Sequence, residues 1–320
     1  MRYEDFINLK YTPKSDDLIC LFRITPTNEF TLKEAAIRVA AESSNGTWSD
    51  LKVPEHIYEL SAKAYEIKKD FVKIAYPVDL FEQGNMPQIL SSIAGNIFGM
   101  KAVSGLRLED VKFPEKIIRS FKGPQYGIDG VRKILKIKNR PITITVPKPK
   151  VGYYPEEHAK IAYEAWTGGV DLLKDDENLS DQSFNRFEKR LKLCMKMREK
   201  AEKETGEKKS YLINITSETN EMIRRAKMVK DYGNEYIMID TLTAGWAATQ
   251  TVRDACQDLK LAMHGHRAFH SAFDRNPLHG LSMKVVTSVA RMQGIDQLHI
   301  GGMGKLAGDE EEVESNFEKC

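Results

Sequence analysis

Apolar and polar positions along the chain change rhythm about a third of the way in. Before that point, strand-like runs mix with stretches of helical spacing. Residues 18–24 (LICLFRI) predict a strand, and 31–42 (TLKEAAIRVAAE) predict a helix with Thr31 as its N-cap. Further strands are predicted at 64–68, 70–77 and 103–113, and a second helix at 87–97. The order strand, helix, strand, strand, helix, strand points to a ferredoxin-like α+β unit. Residues 119–130 (RSFKGPQYGIDG) carry three glycines and a proline and predict the linker, giving an N-terminal domain over 1–125 and a second domain over 126–320.

Beyond the linker the pattern becomes regular. Strands are predicted at 142–146, 170–173, 211–215, 236–239, 259–263 and 297–300, with a helical stretch between each pair. Repeated β-then-α order at this spacing means parallel strands joined by crossover helices, and a TIM-type (β/α) barrel is the leading solution. About six β/α units are present, against the eight of a closed barrel. The class is α/β, with a smaller α+β domain in front.

Composition adds exclusions. The 320 residues carry 48 Lys+Arg against 46 Asp+Glu, a net charge of +2, so no broad field favours nucleic acid or a membrane surface, and anion binding must be local. No apolar run approaches the ~20 residues of a membrane span. The four cysteines (Cys20, Cys194, Cys256, Cys320) are scattered, and the opening MRYEDFINLKYTPK has no secretory leader. Free thiols in a reducing cytoplasm are expected. The acidic run 309–314 reads as a solvated face.

In such a barrel the chemistry sits just past the C-terminal end of each strand. Four strand ends are unusual. The first leads into PKPKVG (147–152), where Lys148 and Lys150 sit between prolines and suit phosphate binding or proton transfer; a solvated basic turn reads the same. The second gives GVDLLKDDE (169–177), four consecutive charged residues whose oxygens suit Mg²⁺. Lys174 is awkward there as a cation but useful once neutralised, for example by CO₂ to give a carbamate. The plainer reading is an exposed, acidic helix start. The third is HGHRAFH (264–270), part of a cluster holding five of the seven histidines; His266 and His270 share a face if helical. A His-x-His pair can hold zinc, whereas Arg267 beside it favours an anion. The fourth is HIGGMGK (299–305), a glycine-rich stretch ending in Lys305 that reads as a phosphate loop, a flexible turn or a mobile lid. Together the four suit a doubly phosphorylated, metal-chelated substrate reacting through an enediolate.

At these residues the sequence resembles the large chain of ribulose-bisphosphate carboxylase (RuBisCO), in its archaeal form III group, with GVDLLKDDE the most specific segment. The resemblance implies a Mg-dependent carboxy-lyase. It implies that Lys174 is carbamylated by a non-substrate CO₂ and that the carbamate, Asp176 and Glu177 hold Mg²⁺. Lys148 then matches the proton-transfer lysine and Lys150 its neighbour in the site. His266 and Arg267 match the HxHRAxH segment, with Arg267 and His299 on one phosphate and His270 a lesser contributor. Lys305 matches the lysine of the mobile sixth loop that polarises incoming CO₂.

ESSNGTW (42–48) and Asn85 resemble segments that reach into the neighbouring subunit's barrel, so Glu42, Thr47, Trp48 and Asn85 are expected to act in trans. A homodimer, or a higher oligomer of dimers without a small subunit, is implied. The implied reaction joins CO₂ to ribulose 1,5-bisphosphate and yields two 3-phosphoglycerates, with O₂ competing, in a nucleotide-salvage setting. The sequence departs from the family twice. HIGGMGK is one residue shorter than the usual H-x-G-T-x-x-G-K and lacks its threonine, which bears on loop closure and on CO₂/O₂ discrimination. The chain ends at Cys320, whereas the family continues through two more β/α units whose serine and paired glycines bind the second phosphate. Three alternatives follow: a RuBisCO-like enolase or isomerase acting on another phosphorylated sugar, an inactive truncated assembly partner, or, remotely, a zinc amidohydrolase.

Overall fold

The computed structural model describes residues 1–47 and 49–301. It divides into two compact units, one formed by Met1–Lys122 with Phe269–Val289, the other by Gly123–Ala268 with Ala290–Gly301.

In the first unit, β1 (Leu18–Pro26), β2 (Lys63–Lys68), β3 (Phe71–Tyr76) and β4 (Val103–Lys112) form an antiparallel sheet in the order β4-β1-β3-β2. This is the ferredoxin-like arrangement expected from the element order. Alternation along β1 buries Leu18, Cys20, Phe22 and Ile24 on one face, against which the helix Leu32–Glu42 packs through its small residues. That helix starts where the sequence says it should, because Thr31 and Glu34 cap each other reciprocally. The predicted helix 87–97 is instead two pieces, Met86–Ile93 and a 3₁₀ turn Asn96–Gly99, broken at Ala94-Gly95. A late strand, β10 (Gly280–Leu281), joins the sheet parallel to β4.

The second unit is a run of parallel strands in chain order: β5 (Ile144–Thr145), β6 (Leu172–Lys174), β7 (Ser210–Leu212), β8 (Tyr236–Asp240), β9 (Ala262–His266) and β11 (Gln297–Leu298). A bridge from Asn214 to Met238 links β7 to β8. The intervening helices follow from periodicity. In Phe187–Thr205 the buried Phe187, Arg190, Leu191, Cys194, Met195, Arg198 and Ala201 recur every three or four residues, and Gly206 ends the helix in the left-handed conformation.

Strand parity separates two cores. Leu173, Tyr211, Ile237, Ile239 and Met263 face the helices, whereas Leu172, Leu212, Tyr236, Met238 and Ala262 face inward onto Val131 and Leu135 of the helix Gly127–Leu135. The fifth strand corrects the sequence reading. The helix Trp246–Leu259 runs through Leu259, and β9 extends to His266 rather than ending at Met263. Cys20, Cys194 and Cys256 are buried free thiols. Among the described residues no helix is long and apolar enough to cross a membrane.

Candidate functional site

Two residues along a strand restore the same face, so the inward positions above the apolar layer can be read off directly. From Leu172 the next is Lys174, from Leu212 it is Asn214, from Met238 Asp240, and from Ala262 His264 and then His266. All five are buried; Lys174, Asn214, Asp240 and His266 sit at or just past the C-terminal end of their strands, and His264 lies one inward position before the end of β9. The polar cluster is therefore a layer of the strand interior, not a loop decoration.

Parity also splits the KDDE segment. Asp175 has the outward parity of Leu173 and lies fully buried against Arg190 (3.2 Å), His158 (3.3 Å) and the Tyr211 hydroxyl. Burial pushes its carboxyl up, but Arg190, His158 and Tyr211 outweigh that and hold it down at about 2. Only Lys174, Asp176 and Glu177 serve the inner cluster.

The Lys174 amine donates to the Asp175 carbonyl at 2.8 Å and lies 3.7 Å from Glu177 Oε2. Burial depresses its pKa, against the pull of Glu177 and Asp240, which favours the neutral amine. Asp176 accepts from Lys148 at 3.2 Å on one oxygen and from the Asn178 side chain at 2.9 Å on the other; these partners hold it below the usual carboxylate range despite burial. His266 Nδ1 accepts the Ala268 N–H at 3.1 Å, so the neutral ring carries its proton on Nε2, 3.5 Å from Glu177 Oε2. Glu177 too is held below its ordinary value despite burial, by its own backbone N–H first and then by His266. Asp240 Oδ1 is 3.3 Å from His266 Nδ1 without a hydrogen bond, and burial raises its pKa.

His264 is buried with both ring nitrogens lacking a hydrogen-bond partner, and burial holds it neutral. The His299 ring lies 5.1 Å from that of His266 at a 41° tilt and is held at about 4 by desolvation, by His266 and by Arg267, although the residue as a whole is exposed. Gly301 has φ +125°, and a Cβ there would lie 3.2 Å from Arg267 Nη2, so the glycine leaves the guanidinium its place.

The structure thus brings Lys148, Lys174, Asp176, Glu177, His266, Arg267 and His299 into the second unit, with Lys150 exposed beyond the first strand. His270 belongs to the first unit. It precedes the short helix Ser271–Asp274, and His266 is on β9, so the two histidines do not share a helical face. Also in the first unit are Glu42, the last residue of its helix, and Thr47, in the loop that follows. Asn85 there caps the helix Met86–Ile93, accepting from the Gln88 N–H at 3.1 Å and donating to Glu82 at 2.7 Å. Trp48, Lys305 and the acidic run 309–314 lie outside the described residues. Asp240, Asn214 and the inward placement of His264 escaped the sequence reading; the available signal was their two-residue register with Met238, Leu212 and Ala262.

Among the described residues no group of three or more His, Cys, Asp or Glu is arranged to hold a metal ion. Asp176 and Glu177 offer hard oxygen donors, and the third position of that set is the Lys174 amine. A divalent cation fits this set once the amine is replaced by an oxyanion.

Comparison with known proteins identifies the family. Family models described as the ribulose bisphosphate carboxylase large chain, N-terminal domain and catalytic domain, match residues 5–117 and 127–320. The ribulose bisphosphate carboxylase of Archaeoglobus fulgidus is 50% identical over 98% of this chain and 74% of its own. A dimeric archaeal Rubisco from Hyperthermus butylicus superposes with a TM-score of 0.94 at 52% identity, over 99% of this chain and 75% of that one. An octameric Rubisco from Pyrococcus horikoshii in complex with sulfate gives 0.94 at 49% identity, over 98% and 75%.

Proposed function

The chain belongs to the ribulose bisphosphate carboxylase large-chain family, and from that premise we propose that it carboxylates ribulose 1,5-bisphosphate to two molecules of 3-phosphoglycerate, with O₂ competing for the same enediolate. The observation that carries the reading is the inward set itself: a buried lysine of depressed pKa beside Glu177, with Asp176 and Lys148 paired next to it.

CO₂ adds to the neutral Lys174 amine, forming an N–C bond and releasing a proton, which converts the amine to a carbamate oxyanion. Lys174 in this form, with Asp176 and Glu177, completes three oxygen donors for Mg²⁺. When bound, Mg²⁺ would offset the negative charge that develops as the enediolate forms.

Carbamylated Lys174 takes the C3 proton to give the enediolate. CO₂ bonds to C2, water adds at C3, and the C2–C3 bond breaks. Lys148 delivers the proton that C2 then needs, and its exposed ammonium is free to swing from Asp176 to do so. Arg267 and His299 take one phosphate, Arg267 by the planar fork that suits phosphate oxygens. His266 orients Glu177 through Nε2. Lys150 is the neighbour of Lys148 in the site, Lys305 polarises the incoming CO₂, and His270 contributes less. Glu42, Thr47, Trp48 and Asn85 serve the partner subunit's barrel, so the working unit is a homodimer or a multiple of it, in the cytoplasm.

The test is CO₂- and Mg²⁺-dependent conversion of ribulose 1,5-bisphosphate to labelled 3-phosphoglycerate by the purified protein. Lys174→Ala is the control, and label persisting in that variant would overturn the assigned mechanism.

A further inference from the structure

The mechanism uses Lys174, Asp176 and Glu177 and passes over the residue between them. Asp175 is fully buried, and both of its carboxylate oxygens are saturated. Oδ1 accepts the Tyr211 hydroxyl and faces His158 Nε2 at 3.3 Å. Oδ2 accepts the Asn214 N–H at 3.1 Å and Arg190 Nε at 3.3 Å. Its side-chain partners come from three elements: His158 from the helix Pro155–Thr167, Arg190 from the helix Phe187–Thr205, and Tyr211 from β7.

Arg190 extends the clamp forward. It is itself buried, and it donates to the carbonyls of Ser180 at 2.8 Å and Asn185 at 2.9 Å, which lie in the loop that follows Glu177. Tyr211 also accepts from Arg190 Nε at 3.2 Å, so the group closes on itself. The backbone of Asp175 is pinned as well, its N–H donating to the Leu212 carbonyl at 3.1 Å. Its own carbonyl is the acceptor of the Lys174 amine at 2.8 Å. The amine's hydrogen-bond acceptor is thus a main-chain atom of the most heavily anchored residue in the segment.

We infer that Asp175 is a positioning residue: clamped by Arg190, Tyr211 and His158, it fixes the carbonyl that holds the Lys174 amine and so sets how readily Lys174 takes up CO₂. A side chain fixed only by solvent-exposed contacts would spread over rotamers, and CO₂ addition would then carry the entropy of finding one. With the carbonyl fixed, the amine is held within reach of Glu177 before CO₂ arrives. The inference rests on reading Lys174 as the carbamylated residue, and it concerns a residue that touches neither substrate nor cation.

The experiment is ¹³C NMR of the carbamate carbon as ¹³C-bicarbonate is raised at constant pH and Mg²⁺, on the wild-type protein and on Lys174→Met, Asp175→Asn and Tyr211→Phe. A signal that is present in wild type and lost in Lys174→Met establishes the site. Tyr211→Phe is expected to raise the half-saturating CO₂ about tenfold, the size of one lost hydrogen bond, and Asp175→Asn to raise it further. The KM for ribulose 1,5-bisphosphate stays at the wild-type value. Asp175→Asn leaves Arg190 buried beside a neutral group, and if it does not fold Tyr211→Phe decides alone. A folded Tyr211→Phe protein with unchanged half-saturation overturns the inference and leaves the reading of Lys174 standing. A wild-type protein with no signal dependent on Lys174 overturns both.

Discussion

Asp176 accepts the Lys148 ammonium at 3.2 Å, so a proposed cation ligand and the proposed proton donor are partners in the ligand-free site. A divalent cation arriving at Asp176 displaces this pairing. Lys148→Met removes the competitor and should tighten Mn²⁺ binding measured by electron paramagnetic resonance in bicarbonate buffer. The gain is small, about two- to fivefold, because the lysine end of the pair is 66% exposed and solvent screens its charge. Formation of 3-phosphoglycerate should fall by about a hundredfold or more, since the last proton has lost its donor. Weaker Mn²⁺ binding in the variant would mean that Lys148 supports the site before substrate arrives.

Lys174 presents the opposite balance between stability and function. Its burial lowers its pKa, so the folded protein is working against the ammonium form at neutral pH. Lys174→Met keeps the stem and removes the charge. The melting temperature should rise, while carboxylation falls by about a thousandfold or more, as expected for a group the reaction cannot do without. A melting temperature below wild type, read by circular dichroism, would show that the amine's contacts with Glu177 and the Asp175 carbonyl outweigh its desolvation.

Gly301 tests the phosphate end. At φ +125° an alanine is strained, and its Cβ would press on Arg267 Nη2 at 3.2 Å. Gly301→Ala should therefore raise the KM for ribulose 1,5-bisphosphate about tenfold by shifting the guanidinium, with kcat less affected. An unchanged KM would remove Arg267 from phosphate binding or show that the side chain has room to move.

The order of elements was legible in the chain because each segment's apolar period agrees with its place in the fold. Leu18, Cys20, Phe22 and Ile24 alternate, Phe187 through Ala201 recur at helical intervals, and Thr31 with Glu34 marks a helix start. The motifs Lys148, KDDE and HGHR were equally visible, since charged residues beside buried runs are conspicuous. Direction was harder to read. Asp175 looked like one more site carboxylate, and its outward face follows only from the two-residue register with Leu173. Asp240 ends a five-residue buried strand and was hidden by its apolar neighbours. The β9 boundary was misplaced because Lys260, the left-handed cap of the preceding helix, resembles nothing in an apolar profile.

Acid should expose Asp175. Its carboxyl is held at about 2 against an ordinary 3.8, so the unfolded chain binds the proton first as pH falls. The stability this group supplies is complete above pH 3.8 and is lost between there and about pH 2; the shift corresponds to roughly 2 kcal/mol. His299 acts in a higher window. It is a base with its pKa lowered from 6.5 to about 4, so the unfolded chain again binds the proton first, and stability falls as pH drops from 6.5 towards 4. The exposure of His299 to solvent screens that second contribution, which makes it the smaller of the two. Urea unfolding between pH 7 and pH 2 should then show a shallow decline below pH 6.5 and a steeper one below 3.8. His299→Gln should flatten the first and leave the second, whereas Tyr211→Phe, which weakens the hold on Asp175, should lessen the second and leave the first. A curve with no loss below pH 3.8 would mean that Asp175 titrates alike in the folded and unfolded chain and that its clamp stores no stability.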